Sequence, residues 1–213
     1  MAFKRVSLAF LSLGLLLLSG MTAAAEPYRI VAFGDSLTAG FGVGPGEGFT
    51  EKLQAALKTK GVAAEVANAG VSGDTTSGGL SRLDWSVPDG TQLVLLELGA
   101  NDMLRGVTPD ITEKNLDAIL ARLKARRIPV LLAGMQAAPN LGADYRAAFD
   151  AIYPKLAQKY GIPLYSFFLD GVAADAQYLQ ADGMHPNAAG VDRIVERILP
   201  AVEKAIAAKA GGS

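Results

Sequence analysis

The chain reads as an α/β protein, a three-layer α/β/α sandwich around a central parallel sheet of about five strands. Strand-like and helix-like segments alternate along it, which is the pattern of such folds. Several strand segments are continuous apolar runs, as in Leu93-Val94-Leu95-Leu96, expected where helices cover both faces of a sheet. With 213 residues, half of them apolar or aromatic, the chain suits one well-buried domain rather than two.

The first strand is assigned to Tyr28 to Phe33, an apolar run that stops at Gly34-Asp35. A helical pattern follows over Phe49 to Lys60. Glu65 to Asn68 is the second strand and Thr76 to Leu83 the second helix. Leu93 to Leu98 is the third strand. The helix over Thr108 to Arg126 has a clear start, with Thr108 as N-cap and Pro109 at the first helical position. Val130 to Ala133 is the fourth strand, Asp144 to Tyr160 one long helix, and Pro163 to Tyr165 the fifth strand. A last helix runs from Asn187 to about Lys209, and Ala210-Gly211-Gly212-Ser213 is expected to fray. No internal repeat or linker is evident.

Ahead of these elements, Lys4 and Arg5 precede an apolar stretch from Val6 to Leu18 and the small residues Thr22-Ala23-Ala24-Ala25. This is the layout of a secretory signal peptide over residues 1–25, cut after Ala25, leaving a single domain over 26–213. The apolar stretch is shorter than the roughly 20 residues that span a bilayer, so no stable membrane anchor is expected after cleavage. With no cysteine there is neither a lipid-attachment site nor a disulfide framework. A bacterial protein in the periplasm, or secreted onward, is the expected outcome. Losing Lys4 and Arg5 takes the formal charge from −1 to −3, which attracts neither nucleic acid nor an anionic membrane.

Ligands of an open parallel sheet bind beyond the carboxyl ends of its strands. Three polar segments follow such ends: Gly34-Asp35-Ser36, Ala69-Gly70 and Gly99-Ala100-Asn101-Asp102. The single histidine lies in Asp182-Gly183-Met184-His185-Pro186-Asn187. A serine hydroxyl needs a base to become a nucleophile, and imidazole is the usual base near neutral pH, so any serine hydrolase chemistry here has one candidate base. One histidine and no cysteine leave a zinc site without its usual ligands. Thr38 stands where the second glycine of a Gly-x-Ser-x-Gly elbow would be, which argues against the α/β-hydrolase fold. Gly42-Val43-Gly44-Pro45-Gly46 lacks the spacing of a dinucleotide-binding turn.

Four blocks in order, Gly34-Asp35-Ser36-Leu37, Asn68-Ala69-Gly70-Val71-Ser72-Gly73-Asp74-Thr75, Gly99-Ala100-Asn101-Asp102 and Asp182-Gly183-Met184-His185-Pro186-Asn187, resemble those of the SGNH, or GDSL-type, hydrolases. Within that superfamily the chain most resembles the periplasmic thioesterase I/lysophospholipase L1 and arylesterase branch, over essentially the whole sequence after residue 25. The resemblance implies a flavodoxin-like fold, no cofactor and no metal. It implies a small-molecule acyl ester or thioester, or a lysophospholipid, as substrate. It also implies Ser36 as nucleophile, His185 as base and Asp182 as the carboxylate that orients it. The backbone amides of Ser36 and Gly70 and the side chain of Asn101 would form the oxyanion hole, with Asp102 outside the site. Met103, Leu104, Met135, Pro139, Asn140 and Leu141 would contact the acyl group, with Phe167, Phe168 and Tyr178 completing the wall. Two other functions remain open at this point: an exported carbohydrate O-deacetylase, for which Trp85 is the one tryptophan available for stacking, and a catalytically silent binding protein on the same fold.

Overall fold

The computed structural model describes residues 26–210; the leader assigned to residues 1–25 and the last three residues lie outside them. Five parallel strands form one sheet in the order β2-β1-β3-β4-β5, with β1 at Tyr28–Gly34, β2 at Ala64–Gly70, β3 at Leu93–Glu97, β4 at Val130–Ala133 and β5 at Leu164–Tyr165. The long helices are α2 (Phe49–Thr59), α3 (Thr76–Ser86), α5 (Pro109–Ala125), α6 (Ala143–Asp150), α7 (Ile152–Tyr160) and α8 (Ala188–Ala210). Two short ones, α1 (Ser36–Ala39) and α4 (Ala100–Leu104), follow directly on β1 and β3.

From β1 the chain steps outward to β2, then returns across β1 to β3. Parallel crossovers are right-handed, so this reversal sends α2 to one face of the sheet and α3 to the other. Accordingly α2 pairs with α8, while α3 packs on α5 and α5 on α7. The three layers close over β3, whose five residues are all buried, and over Ile30 to Gly34 of β1. β2 is an edge strand and buries only Val66. Gln54 of α2 accepts a hydrogen bond from the Val66 N–H at 2.8 Å, so part of that open edge is occupied.

Some local expectations change. The single helix over Asp144 to Tyr160 is two, divided at Ala151. Pro154 has no N–H for the Asp150 carbonyl, and its ring would crowd that same group. Thr108 holds the N-cap backbone position of α5 but makes no side-chain cap, leaving Pro109 as the start signal. Asn187 caps α8 rather than beginning it, its Oδ1 accepting from the Gly190 N–H at 3.0 Å. No helix among the described residues is long and apolar enough to cross a membrane.

Candidate active site

The order reverses at β1, between β2 and β3, and a crevice opens there at the strands' carboxyl ends. Ser36 opens α1 directly after β1. Asp35 accepts the Leu37 N–H at 3.0 Å and so caps this four-residue helix, which fixes the turn that carries the serine. Asn101 sits in the first turn of α4, after β3, rather than in an irregular loop. Its Nδ2 donates to Asp35 Oδ2 at 3.0 Å, so one carboxylate holds both segments.

His185 arrives from the other end of the chain. Its Nε2 lies 2.9 Å from Ser36 Oγ, and its Nδ1 lies 2.6 Å from Asp182 Oδ2. The other oxygen of Asp182 accepts the backbone N–H groups of Met184 and His185 at 2.9 and 3.0 Å. These two amides, with the His185 ring, hold the Asp182 carboxyl down at about 2, so it is ionised at any working pH. The Phe41 ring packs on the imidazole with centroids 4.6 Å apart. The line Ser36–His185–Asp182 therefore has the geometry for a proton to pass from the hydroxyl to an imidazole whose far nitrogen faces a fixed negative charge.

Beneath the serine turn is a fully buried acid that the sequence reading missed. Glu97, the last residue of β3, accepts from Thr38 Oγ1 at 2.8 Å and from the Asp35 N–H at 3.3 Å through Oε2, while its Oε1 is buried without a partner. Burial, and then the charge of Asp35, push the Glu97 carboxyl well above the ordinary range. Burial raises Asp35 too, to about 6, but each carboxyl accepts two donors and only Glu97 is left with a buried, unpartnered oxygen, while His185 favours the charge on Asp35, so the proton of this pair resides on Glu97. A carboxyl in the middle of Leu95-Leu96-Glu97-Leu98 was the available signal, since unpaired acids are rarely found in buried strands.

Gly70 does not fit the role expected of it. Its N–H donates to Asn68 Oδ1 at 2.9 Å and is not free for a ligand. Its lack of a side chain has another cause: a Cβ there would lie 2.3 Å from Ala39 N and 2.8 Å from the Asp35 carbonyl oxygen, so α1 could not pack so closely on β2. Three residues on, Gly73 takes φ +81° in the same turn. Its carbonyl accepts from Arg105, and its N–H has no acceptor among the described residues. Asp102 stays outside the crevice. It is buried, accepts the Thr76 N–H at 2.8 Å, and so ties α4 to the start of α3.

A groove of about 320 Å³ runs from Ser36, Asn101 and His185 between apolar walls. Met103 and Leu104 are among the residues that line it. Met135 does not, being 3 % exposed within the core, and Pro139, Asn140 and Leu141 form a short 3-10 turn outside the groove lining. Ala138 is what that loop contributes; Leu169, Ala173, Leu179 and Met184 supply the facing wall. Phe168 is buried edge-on against Phe49 at 5.0 Å, Phe167 borders a neighbouring depression, and Tyr178 is likewise outside the lining. Among the described residues no cluster of histidine and acidic side chains suited to a metal ion occurs.

The model of the GDSL-like lipase/acylhydrolase family matches residues 32–193, a span that contains every residue of this crevice. An esterase TesA of Pseudomonas aeruginosa is 37 % identical over 196 residues, covering 92 % of this chain and 98 % of its own. Thioesterase 1/protease 1/lysophospholipase L1 of Escherichia coli is 40 % identical over 174 residues, 81 % of each chain. Among solved structures, AlinE4, an SGNH-hydrolase family esterase, superposes with a TM-score of 0.73 at 48 % identity over 86 % of this chain and 98 % of its own. With the fold, the order of the four blocks and these matches in agreement, the chain belongs to the GDSL-like lipase/acylhydrolase family.

Proposed function

We propose that the protein is a serine hydrolase of carboxylic acyl esters, reaching also to acyl thioesters and lysophospholipids, and that it acts after export to the periplasm or medium with residues 1–25 removed. The observation that carries this reading is the Ser36–His185–Asp182 line at the head of an apolar groove. Ser36 Oγ attacks the acyl carbonyl as His185 Nε2 takes its proton; the carbonyl π pair moves to oxygen. Collapse of that tetrahedral intermediate expels the alcohol or thiol, which receives the proton from His185, and a water repeats the sequence to free the acid and Ser36.

The negative oxygen needs donors aimed at it. The Ser36 backbone N–H and the second Nδ2 hydrogen of Asn101, whose first is held by Asp35, are two. Gly73 replaces Gly70 as the third, because its N–H is uncommitted and Gly70's is not. Apolar walls favour a hydrocarbon acyl tail over a sugar. Trp85 is 75 % exposed and no stacking aromatic lines the groove, which weighs against a carbohydrate deacetylase.

Initial rates on p-nitrophenyl esters and acyl thioesters of increasing chain length, with Ser36→Ala as blank, test this. Turnover lost in the blank and rising from acetyl to medium chains is expected. A preference for acetyl, or equal rates with the blank, contradicts the reading.

A further inference from the structure

Ser36 and His185 come from opposite ends of the chain, and their hydrogen bond requires two independent loops to hold one spacing. Among the described residues, one other hydrogen bond joins residues 36–42 to residues 180–187: Gln180 Nε2 donates to the Phe41 carbonyl at 2.7 Å. The same Nε2 donates to the Pro186 carbonyl at 2.9 Å. The Gln180 backbone closes the turn from within, its N–H donating to the His185 carbonyl at 2.8 Å and its carbonyl accepting the Gly183 N–H at 3.0 Å. On the far side, the Phe41 N–H donates to the Ser36 carbonyl at 3.1 Å. An unbroken path thus runs from the Ser36 backbone through Phe41 and Gln180 to the residues flanking His185. Gly42 makes room for it: a Cβ there would lie 2.1 Å from Gln180 Oε1, and φ is +76°.

We infer that Gln180 is a positioning residue for the ester hydrolysis proposed above, its side-chain amide fixing the separation of the Ser36 turn from the Asp182–His185 turn. It touches neither substrate nor the reacting atoms. Asp182 and His185 share one turn and keep their own contacts without it, so losing the amide loosens the serine–histidine contact and leaves the histidine–aspartate contact intact.

This inference rests on Ser36 and His185 performing the reaction, which the Ser36→Ala blank tests separately. With wild-type turnover established, Gln180→Met keeps the side-chain length and removes both donors, and Gly42→Ala presses on the amide from the other side. A misplacement of reacting groups by about 1 Å can cost 10²-fold, so kcat is expected to fall about 10- to 100-fold in both variants. KM should stay within about twofold and the midpoint of the pH–rate profile should not move. A kcat within twofold of wild type in both, a rise in KM with kcat unchanged, or a shifted pH midpoint overturns it. So does failure of Gln180→Met to reach the wild-type circular dichroism spectrum, because that would assign Gln180 to stability.

Discussion

Replacing Glu97 with glutamine should change how the stability of this protein depends on pH. In the unfolded chain this carboxyl ionises near 4.5; in the fold, burial first and the Asp35 charge second hold it well above that. Folding therefore takes up a proton as pH rises past about 4.5. A raised carboxyl pKa gives a contribution fully present below the unfolded value and lost progressively as pH climbs toward the folded one. At its steepest the loss is about 1.4 kcal/mol per pH unit. Asp35, also raised by burial, adds a trend of the same sign, so the comparison must be with a variant that removes the Glu97 proton alone. Glutamine does this. Its amide nitrogen in the place of Oε1 finds no acceptor, a cost of about 1–3 kcal/mol, but one that does not vary with pH. Urea unfolding of wild type and variant at pH 5 and pH 6 reads the effect. The stability difference should move in favour of the variant between the two by at most about 1.2 kcal/mol, the limit for one proton with an unfolded value of 4.5, which at m values of about 1–3 kcal/mol/M is at most roughly 0.4–1.2 M in relative midpoint. Parallel pH dependence of the two proteins would refute the argument and return the proton to Asp35 or to neither group.

Asn101→Ala should lower kcat by about 10²–10³, the scale of one oxyanion donor, in the ester assay; an unchanged kcat removes it from the hole. Arg82→Ala should destabilise the fold by about 3–5 kcal/mol in urea melts. Arg82 is buried, pairs with Asp74 at 2.6 Å, and donates to the carbonyls of Gly34 and Ala69 at 2.8 Å, clipping the ends of β1 and β2 together. A cost under about 1 kcal/mol would show that these groups find other partners. Gly70→Ala keeps the backbone N–H but drives a methyl into α1; it should cost about 1–3 kcal/mol of stability and lower kcat, and wild-type behaviour would refute the steric account.

Much of the fold was legible because its signals are local. Unbroken apolar runs such as Leu93 to Leu96 identify strands covered on both faces, and the Pro109 start of α5 is written in one dipeptide. The Ser36, Asn101 and His185 segments could be placed together because each follows from the rule that ligands gather at strand carboxyl ends, or from the lone histidine. What was not legible depends on who faces whom. Met135 and Leu169 are both apolar loop residues, and only packing sends the first into the core and the second into the groove. Gly70 and Gly73 are equivalent on paper; the Asn68 side chain, by taking one amide, distinguishes them. The break at Ala151 was a missed local signal, since Pro154 announces it. The Gln180 contact joins residues far apart in the chain, and nothing near Gln180 reveals its partner.

The most direct test of the central claim is covalent: treat the protein with a p-nitrophenyl phosphonate ester and locate the adduct by intact-mass and peptide mass spectrometry. A nucleophile activated by His185 should give one phosphonyl group per chain, on Ser36, with loss of ester hydrolysis in step and no adduct in Ser36→Ala or His185→Ala. An adduct on another residue that tracks the loss of activity, or hydrolysis undiminished in Ser36→Ala, would contradict it.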